Sequence, residues 1–212
     1  MITIWGRASS GNVQIAMFAI GELGLEHQRL DVGGKFGGTD TPDYVALNPN
    51  KLVPTMKDGE LVLWESAAIV RYLGATYGDE AFWPTSPATR ARIDQWAEWT
   101  KTTFQPMFVN VFVPMVFRPS SERDPAAIAA AAQKVQPLAR MLDERLARSP
   151  YLGGGELSFG DCVLGPVLYR YFTLDGFERA NTPHLRGYYD RLTERPAFRE
   201  HGMIEFESMR AQ

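Results

Sequence analysis

The sequence has few of the residues that form cross-links or bind metals. Its 212 residues include one cysteine and three histidines. A single cysteine excludes an intramolecular disulfide and is typical of a reducing compartment, so we expect a cytoplasmic location. His27, His184 and His201 lack the spacing of metal ligands, and we therefore expect no metal site.

An excess of one charge and long apolar runs are also missing. Lys and Arg total 22 against 25 Asp and Glu, which gives a formal net charge of −3. This mixture gives no reason to expect a nucleic-acid partner. The first residues lack the basic start of a signal peptide, and no apolar run approaches the roughly 20 residues of a membrane span. We therefore expect no membrane partner.

Strand and helix patterns alternate in the first part of the chain. An apolar helical pattern lies between the first two strands, and such a β-α-β unit should pair its strands in parallel with a right-handed crossover. The predicted elements are strands at 2–5 and 27–32, helices at 12–23, 43–47 and 66–77, and a hairpin at 52–64 with its turn at 57–60. Their order is β-α-β-loop-β-β-α.

Only helical patterns follow a proline-containing linker. The predicted helices are 88–117, 125–148, one that begins at Ser158, one at 184–193 and a short one from Pro196. We expect the first of them to bend at Pro106 and to end at Pro114, because proline removes a helical hydrogen bond. The sequence thus predicts an α+β protein with an α/β domain at 1–78, a linker at 79–87 and an all-α domain at 88–212.

Ser158-x-x-Asp161 has the spacing of a capping box, in which each residue satisfies a backbone N–H of the other. We interpret it as structural. Cys162 follows directly and has no second cysteine at CxxC spacing, so we expect a small core residue.

The segment NPNKLVPTMKDGELVLWESAAIVRYL at 48–73 is the most informative part of the chain. Pro54 interrupts a strand-like run, which favours an edge, a bulge or a cis turn. Glu65 and Ser66 stand where the return strand meets a helix. Free backbone N–H groups and the positive end of the helix dipole can bind a carboxylate there.

This order resembles the glutathione-binding half of the glutathione S-transferase family, whose usual pattern is NPxGxVPxLxxDGxxLxES-x-AIxxYL. The matching residues are Asn48, Pro49, Val53, Pro54, Asp58, Gly59, Leu63, Glu65, Ser66, Ala68, Ile69, Tyr72 and Leu73. Lys51 departs from the pattern, which commonly has Gly there. The resemblance implies a thioredoxin-like domain followed by a helical bundle, in a bacterial, serine-type, theta- or phi-like member.

The resemblance also implies glutathione as a co-substrate. Val53 would pair its backbone with the cysteinyl residue, next to a cis bond to Pro54. Glu65 would bind the γ-glutamyl ammonium, and Ser66 the γ-glutamyl carboxylate. Lys51 or Lys35 are the candidates for the glycyl carboxylate.

The catalytic donor would lie between the first strand and the first helix, where the family places a hydroxyl or thiol that hydrogen-bonds the glutathione sulfur. Ser10 fits the spacing from Gly6 in the plant-type serine branch. Ser9 and Asn12 are the alternatives, and each of the three is also a candidate N-cap.

A stretch rich in aromatic and apolar residues would line the site of a small hydrophobic electrophile. Its predicted members are Trp99, Thr103, Phe104, Met107 and Phe108. The expected activity is glutathione transfer, with peroxide reduction as an additional activity. The alternatives are a glutathione or ligand carrier with negligible turnover, a maleylacetoacetate-isomerase-like enzyme, and a module for protein association. By family analogy we expect a homodimer.

Overall fold

A four-stranded mixed sheet forms the first half of the chain in the computed structural model, which describes residues 1–211. The strands are β1 Ile2–Trp5, β2 His27–Leu30, β3 Thr55–Asp58 and β4 Leu61–Trp64, and the helices are α1 Gly11–Glu22, α2 Pro42–Leu47 and α3 Ser66–Tyr77. The strand order is β2-β1-β3-β4, with β1 and β2 parallel and the other pairs antiparallel. The predicted parallel pairing of the first two strands is confirmed, although β2 ends at Leu30, two residues earlier than predicted.

The hairpin turn between β3 and β4 is shorter than the four residues predicted. Asp58 pairs with Leu61, so only Gly59 and Glu60 form the loop. Gly59 has a φ of 57°, and a two-residue loop with glycine first is the arrangement of a type II′ turn. The bond between Val53 and Pro54 is cis, as predicted.

Helices form the second half of the chain. They are α4 Pro87–Trp99, a π-helical segment Thr100–Phe104, α5 Gln105–Phe117, α6 Pro125–Leu146, α7 Phe159–Thr173, α8 Pro183–Thr193 and a π-helical turn Phe198–Gly202. The predicted end of a helix at Pro114 is wrong, since α5 continues to Phe117. The lost hydrogen bond of one proline is tolerated there because buried Val111 and Met115 hold the helix on both sides.

Helix α1 lies at the centre of the molecule and packs on α3, on α7 and on the turn at 198–202. All residues from Val13 to Ile20 are buried. Seven of these eight residues are apolar, and a helix that is hydrophobic nearly all round belongs in an interior, because it has no face suited to water. The first turn of α1 therefore lies where the sheet half and the helical half meet. No helix within residues 1–211 is long and apolar enough to cross a membrane.

Asp161 fixes the start of α7 from a fully buried position. Its carboxylate accepts hydrogen bonds from Ser158 N at 2.8 Å and Ser158 Oγ at 2.7 Å. It also accepts from Leu152 N and Tyr188 Oη, both at 2.9 Å. The predicted capping box is present, and the same carboxylate ties α7 to α8 and to the preceding loop.

The division of the chain at 78 and 87 stays a prediction. Helix α3 ends at Tyr77 and α4 begins at Pro87, so no helix or strand lies between them.

Candidate active site

The loop at 7–11 joins β1 to α1, ends on the first residue of that helix and lies close to the segment before β3. Gly6, with a φ of 156°, precedes it. A Cβ at that position would lie 2.4 Å from Val13 Cγ2 and 3.3 Å from Val53 Cβ. Only glycine allows this approach, which brings the start of α1 next to Val53.

Ser10 is the N-cap residue of α1, with extended φ and ψ of −78° and 123°. It is buried, and its side chain makes no capping hydrogen bond. The first turn of α1 contains no acidic residue. No carboxylate of that turn therefore neutralises the free N–H groups and the positive end of the helix dipole. This favours the binding of an anion at the start of α1.

The two alternative donors are placed differently. The carbonyl oxygen of Ser9 accepts a hydrogen bond from Arg170 Nη2 at 2.6 Å. Asn12 Oδ1 accepts from Lys101 Nζ at 2.6 Å and from Gln105 Nε2 at 3.4 Å. The Asn12 side chain thus connects α1 to the helical half through hydrogen bonds, whereas the Ser10 hydroxyl makes no such hydrogen bond within residues 1–211. The assignment of the donor stays a prediction.

The backbone of Val53 has unused hydrogen-bonding groups. Within residues 1–211 neither its N–H nor its C=O takes part in a hydrogen bond. The neighbouring Leu52 C=O instead accepts from Tyr44 Oη at 2.6 Å and from Asn48 Nδ2 at 2.9 Å. The segment is therefore held in place while Val53 can pair with an extended peptide.

Glu65 and Ser66 begin α3 with two unused polar groups. Glu65 occupies the N-cap position at a φ of 70°, and its exposed carboxylate caps no N–H. A positive φ is strained for a side chain other than glycine and occurs disproportionately at ligand sites. The Ser66 hydroxyl is buried and has no hydrogen-bond partner in the described part of the chain. A cation at Glu65 and an anion at Ser66 would complement these groups.

Lys101 interacts with groups at the start of α3 and at the start of α1. Burial lowers the pKa of its ammonium, and the carboxylates of Glu65 and Glu98 oppose this effect. Lys101 therefore lies near both Glu65 on the sheet half and Asn12 at the start of α1. The sequence pattern gave no signal for this contact, because the three residues are far apart in the chain.

A cleft of about 380 Å³ opens beside the loop at 7–11. Its walls are Arg7, Ala8, Ser9, Arg29, Asp31, Gly34, Lys35, Phe36, Phe117, Ile204, Glu205, Ser208 and Met209. Lys35 lies over the ring of Phe36 at 5.3 Å. The predicted anion-binding candidate Lys35 is thus on the cleft, whereas Lys51 is exposed and does not line it, with a φ of 56°.

None of the five predicted electrophile-site residues lines this cleft. Phe104 and Phe108 are buried and contact the ring of Tyr171. Trp99 stacks on Phe104 with ring centroids 5.8 Å apart. Met107 lines a different cavity of about 560 Å³ beside α6. Thr103 lies half-buried in the π-helical segment. Their role in binding an electrophile stays a prediction.

Sequence reasoning missed Ile204 and Met209 on the apolar side of the cleft. They lie near the end of the chain, where Met209 closes a short 3-10 turn at Glu207–Met209 and no apolar periodicity marks either residue. The tail is held against α5 by a hydrogen bond from Ala211 N to Val116 O at 2.8 Å and one from Arg210 Nη1 to Met115 O at 3.3 Å. Within residues 1–211 no group of three or more His, Cys, Asp or Glu side chains is placed to bind a metal.

Comparison with known proteins identifies both halves. Residues 1–75 match the sequence model of the glutathione S-transferase N-terminal domain, and residues 104–196 match that of the C-terminal domain. Glutathione S-transferase GstB of Escherichia coli strain K12 is 40% identical over 96% of this chain and 99% of its own. Glutathione S-transferase 3 of Zea mays is 31% identical over 94% of this chain and 92% of its own.

A solved structure is similar along nearly the full length. It is the theta class glutathione S-transferase of Xanthomonas axonopodis pv. citri with glutathione bound, at 47% identity and a TM-score of 0.92. The alignment covers 97% of this chain and 98% of that one.

Proposed function

Because this chain belongs to the glutathione S-transferase family, we propose that it binds glutathione as co-substrate and activates its thiol for attack on small hydrophobic electrophiles. The observation that supports this most is the set of unused groups at Val53, Glu65 and Ser66. A backbone N–H and C=O, a free carboxylate and a buried hydroxyl without a partner lie in one region of the sheet half. These groups match the peptide, ammonium and carboxylate of a γ-glutamyl tripeptide.

The tripeptide binds along the segment before β3 and across the start of α3. Val53 pairs with the cysteinyl backbone, Glu65 with the ammonium, and Ser66 with the γ-glutamyl carboxylate at the helix N-terminus. Charge-assisted hydrogen bonds of this kind are about twice as strong as neutral ones. Lys35 is the candidate for the glycyl carboxylate, because it lies on the cleft beside the loop at 7–11.

The sulfur then lies against the start of α1, where the Ser10 hydroxyl donates a hydrogen bond to the thiolate and keeps its own proton, while the thiol proton passes to solvent. A free thiol has a pKa of about 8.5, so only a few per cent is ionised at neutral pH. A fall of about two units raises the thiolate fraction roughly 25-fold. The less basic thiolate is about 8-fold less reactive, because nucleophilicity falls with pKa, and this offsets most of that gain.

Ionisation alone therefore accounts for only a few-fold acceleration. Most of the rate comes from holding the electrophile next to the sulfur, because effective molarities in such arrangements are very large. The cleft beside the loop at 7–11 is the candidate place for this electrophile, since Ser9 lines it together with the apolar side chains of Phe117, Ile204 and Met209. The charged residues Arg7, Arg29, Asp31, Lys35 and Glu205 also line this cleft, so its apolar patch adjoins a polar one.

Calorimetry with glutathione and turnover of a chlorodinitrobenzene substrate test the proposal. The wild type should bind glutathione and release chloride as sulfur bonds to the ring carbon. Ser10→Ala should retain binding and lose most turnover, whereas Ser9→Ala, at the alternative donor in the same loop, should retain most turnover. Absence of glutathione binding at millimolar concentration would contradict the proposal.

A carrier without turnover is the second candidate. Retained glutathione binding with no turnover of chlorodinitrobenzene, unsaturated carbonyl compounds or an organic hydroperoxide would favour it. The same panel tests the proposed peroxidase activity.

We also propose a homodimer in the cytoplasm, with the domain division at 78 and 87. Leu52, Leu61 and Trp64 support an interface on the sheet half, since they are 64%, 39% and 40% exposed. Sedimentation equilibrium of the wild type and of Leu52→Glu tests the dimer. Preferential proteolysis within 79–87 tests the division.

A further inference from the structure

Arg170, on the last turns of α7, lies directly behind the loop at 7–11. Its Nη2 donates to the Ser9 carbonyl at 2.6 Å, and its Nη1 would be 3.0 Å from a Cβ added at Gly11. On the other side the guanidinium lies 4.8 Å from the centre of the Phe112 ring. A residue distant in sequence thus contacts the backbone on both sides of Ser10.

The positive charge of Arg170 has no carboxylate partner among residues 1–211. Its Nε is shielded from solvent and makes no hydrogen bond within that range. Burial, and to a lesser extent the neighbouring Arg7, lower the pKa of Arg170 to about 10, while Tyr169 acts in the opposite direction. The group stays protonated at neutral pH, and its positive charge lies near that of Arg7. A shielded charge without a partner is costly unless a ligand supplies the opposite charge.

Two other arginines of the helical half show how the chain usually satisfies such groups. Arg195 binds Glu22 through two hydrogen bonds at 2.7 and 2.5 Å. Arg179, half-buried like Arg170, donates to the carbonyls of Tyr171 and Leu174 and lies over the Phe177 ring at 4.1 Å. Arg170 differs because its Nη1 and Nη2 lie against Gly11 and Ser9 at the start of α1, while its Nε makes no hydrogen bond among residues 1–211.

We propose that Arg170 is a positioning residue for the thiol chemistry. It holds the Ser9 carbonyl so that Ser10 and the first turn of α1 keep their place. Its positive charge, which has no carboxylate partner among residues 1–211, is balanced by the thiolate of bound glutathione. The inference rests on the proposed function. In the step concerned the S–H bond breaks, the electron pair stays on sulfur and the proton passes to bulk water. The loop at 7–11 and the first turn of α1 contain no acidic residue that could compete for this charge.

The ultraviolet absorbance of the thiolate, titrated against pH in the complex with glutathione, tests the role of Arg170. Arg170→Gln should raise the pKa of the bound thiol by about one unit, which lowers the thiolate fraction by up to tenfold below that pKa. Arg170→Lys retains the charge and should keep the thiol pKa within about half a unit of wild type. Arg179→Gln is the matched control and should leave the thiol pKa unchanged.

A purely structural role would lower thermal stability without moving the thiol pKa. A wild-type thiol pKa in Arg170→Gln, or an equal rise in Arg179→Gln, would overturn the proposal. If Arg170→Gln does not fold, Arg170→Lys decides, because a rise of one unit or more with the charge retained would contradict it. Failure of the wild type to bind glutathione would overturn the proposed function too. A wild-type complex with a low thiol pKa that Arg170→Gln leaves unaltered would remove this inference alone.

Discussion

Helix α7 carries one fully buried and one half-buried charged side chain, and their hydrogen-bonding groups are satisfied to different extents. Asp161, near its start, accepts four hydrogen bonds from three residues: two from Ser158, one from Leu152 in the loop before it and one from Tyr188 of α8. Arg170, near its end, makes one hydrogen bond to Ser9 and leaves Nε without a partner in the described chain. One charge is fully satisfied within the protein and the other is not.

The difference separates a structural group from one that is available to a ligand. A satisfied network stabilises a single arrangement of the core, because every partner loses a hydrogen bond if the arrangement changes. An incompletely satisfied cation keeps a free-energy cost that a bound anion can relieve. The same contrast holds between the Asp161 network and the unpaired Ser66 hydroxyl at the start of α3.

Removal of the satisfied charge should have the largest effect. Asp161→Ala should lower the free energy of unfolding by about 3–5 kcal/mol, since four buried donors lose their acceptor. Urea denaturation measures this loss, and Asp161→Asn should cost less because it retains one acceptor oxygen. A loss below about 1 kcal/mol would show that water replaces the carboxylate and that the network is not closed.

The pH dependence of stability gives a second measure of the same group. Burial raises the pKa of Asp161, so the folded state binds the proton more tightly than the unfolded state does. The contribution of Asp161 to stability should therefore fall as pH rises from the unfolded value of about 3.9 to the higher folded value, and stay constant above it. The difference in stability between wild type and Asp161→Asn should show this slope, and a difference that changes with pH in the opposite direction would contradict the assignment.

Ser10→Ala should affect activity and leave stability nearly unchanged. Loss of one donor to the sulfur should lower kcat/KM about 100-fold. The free energy of unfolding should change by less than about 1 kcal/mol, because the Ser10 side chain makes no capping hydrogen bond. Steady-state kinetics and denaturation on one preparation measure both quantities. The opposite pattern, stability lost and activity kept, would place Ser10 with Asp161 as a structural residue.

Glu65→Gln should weaken glutathione binding about tenfold, which corresponds to about 1.4 kcal/mol. The neutral amide keeps the shape of the side chain and removes the charge opposite the ammonium. Calorimetry measures the affinity, and Glu60→Gln in the hairpin turn is the matched control. Equal affinities of the two variants would exclude Glu65 as the ammonium partner.

Lys51→Gly should have the smallest effect, a gain in stability of up to about 1 kcal/mol. The residue holds a φ of 56°, which a side chain opposes and glycine does not. Thermal unfolding of Lys51→Gly and of Lys51→Ala separates the backbone effect from the loss of the ammonium. A destabilised glycine variant would show that contacts of the lysine side chain exceed the strain.

The candidate glutathione site could be predicted from the sequence because its parts are neighbours in the chain. The hairpin, the cis bond at Pro54 and the junction at Glu65 are all local features of 48–73, and local features leave a pattern. The position of Lys51 shows the limit, since the left-handed conformation persists there without the expected glycine.

The cleft and its supporting contacts could not be predicted in this way. Arg7, Phe117 and Ile204 meet only through tertiary packing, and the contact of Arg170 with Ser9 spans the two halves of the chain. The apolar run at 104–117 was a real signal of burial, but it did not say which face is core. Phe104 and Phe108 pack on Tyr171 because the core needs filling before any pocket does.

Proton release on glutathione binding tests most directly whether this fold creates a thiolate. Calorimetry at pH 7 in buffers of different ionisation enthalpy measures it, with S-methylglutathione as a ligand that has no thiol proton. If the bound thiol has a pKa about two units below the free value, about 0.7 proton should leave per site. S-methylglutathione should release none by this route. Equal proton release for the two ligands would contradict the account.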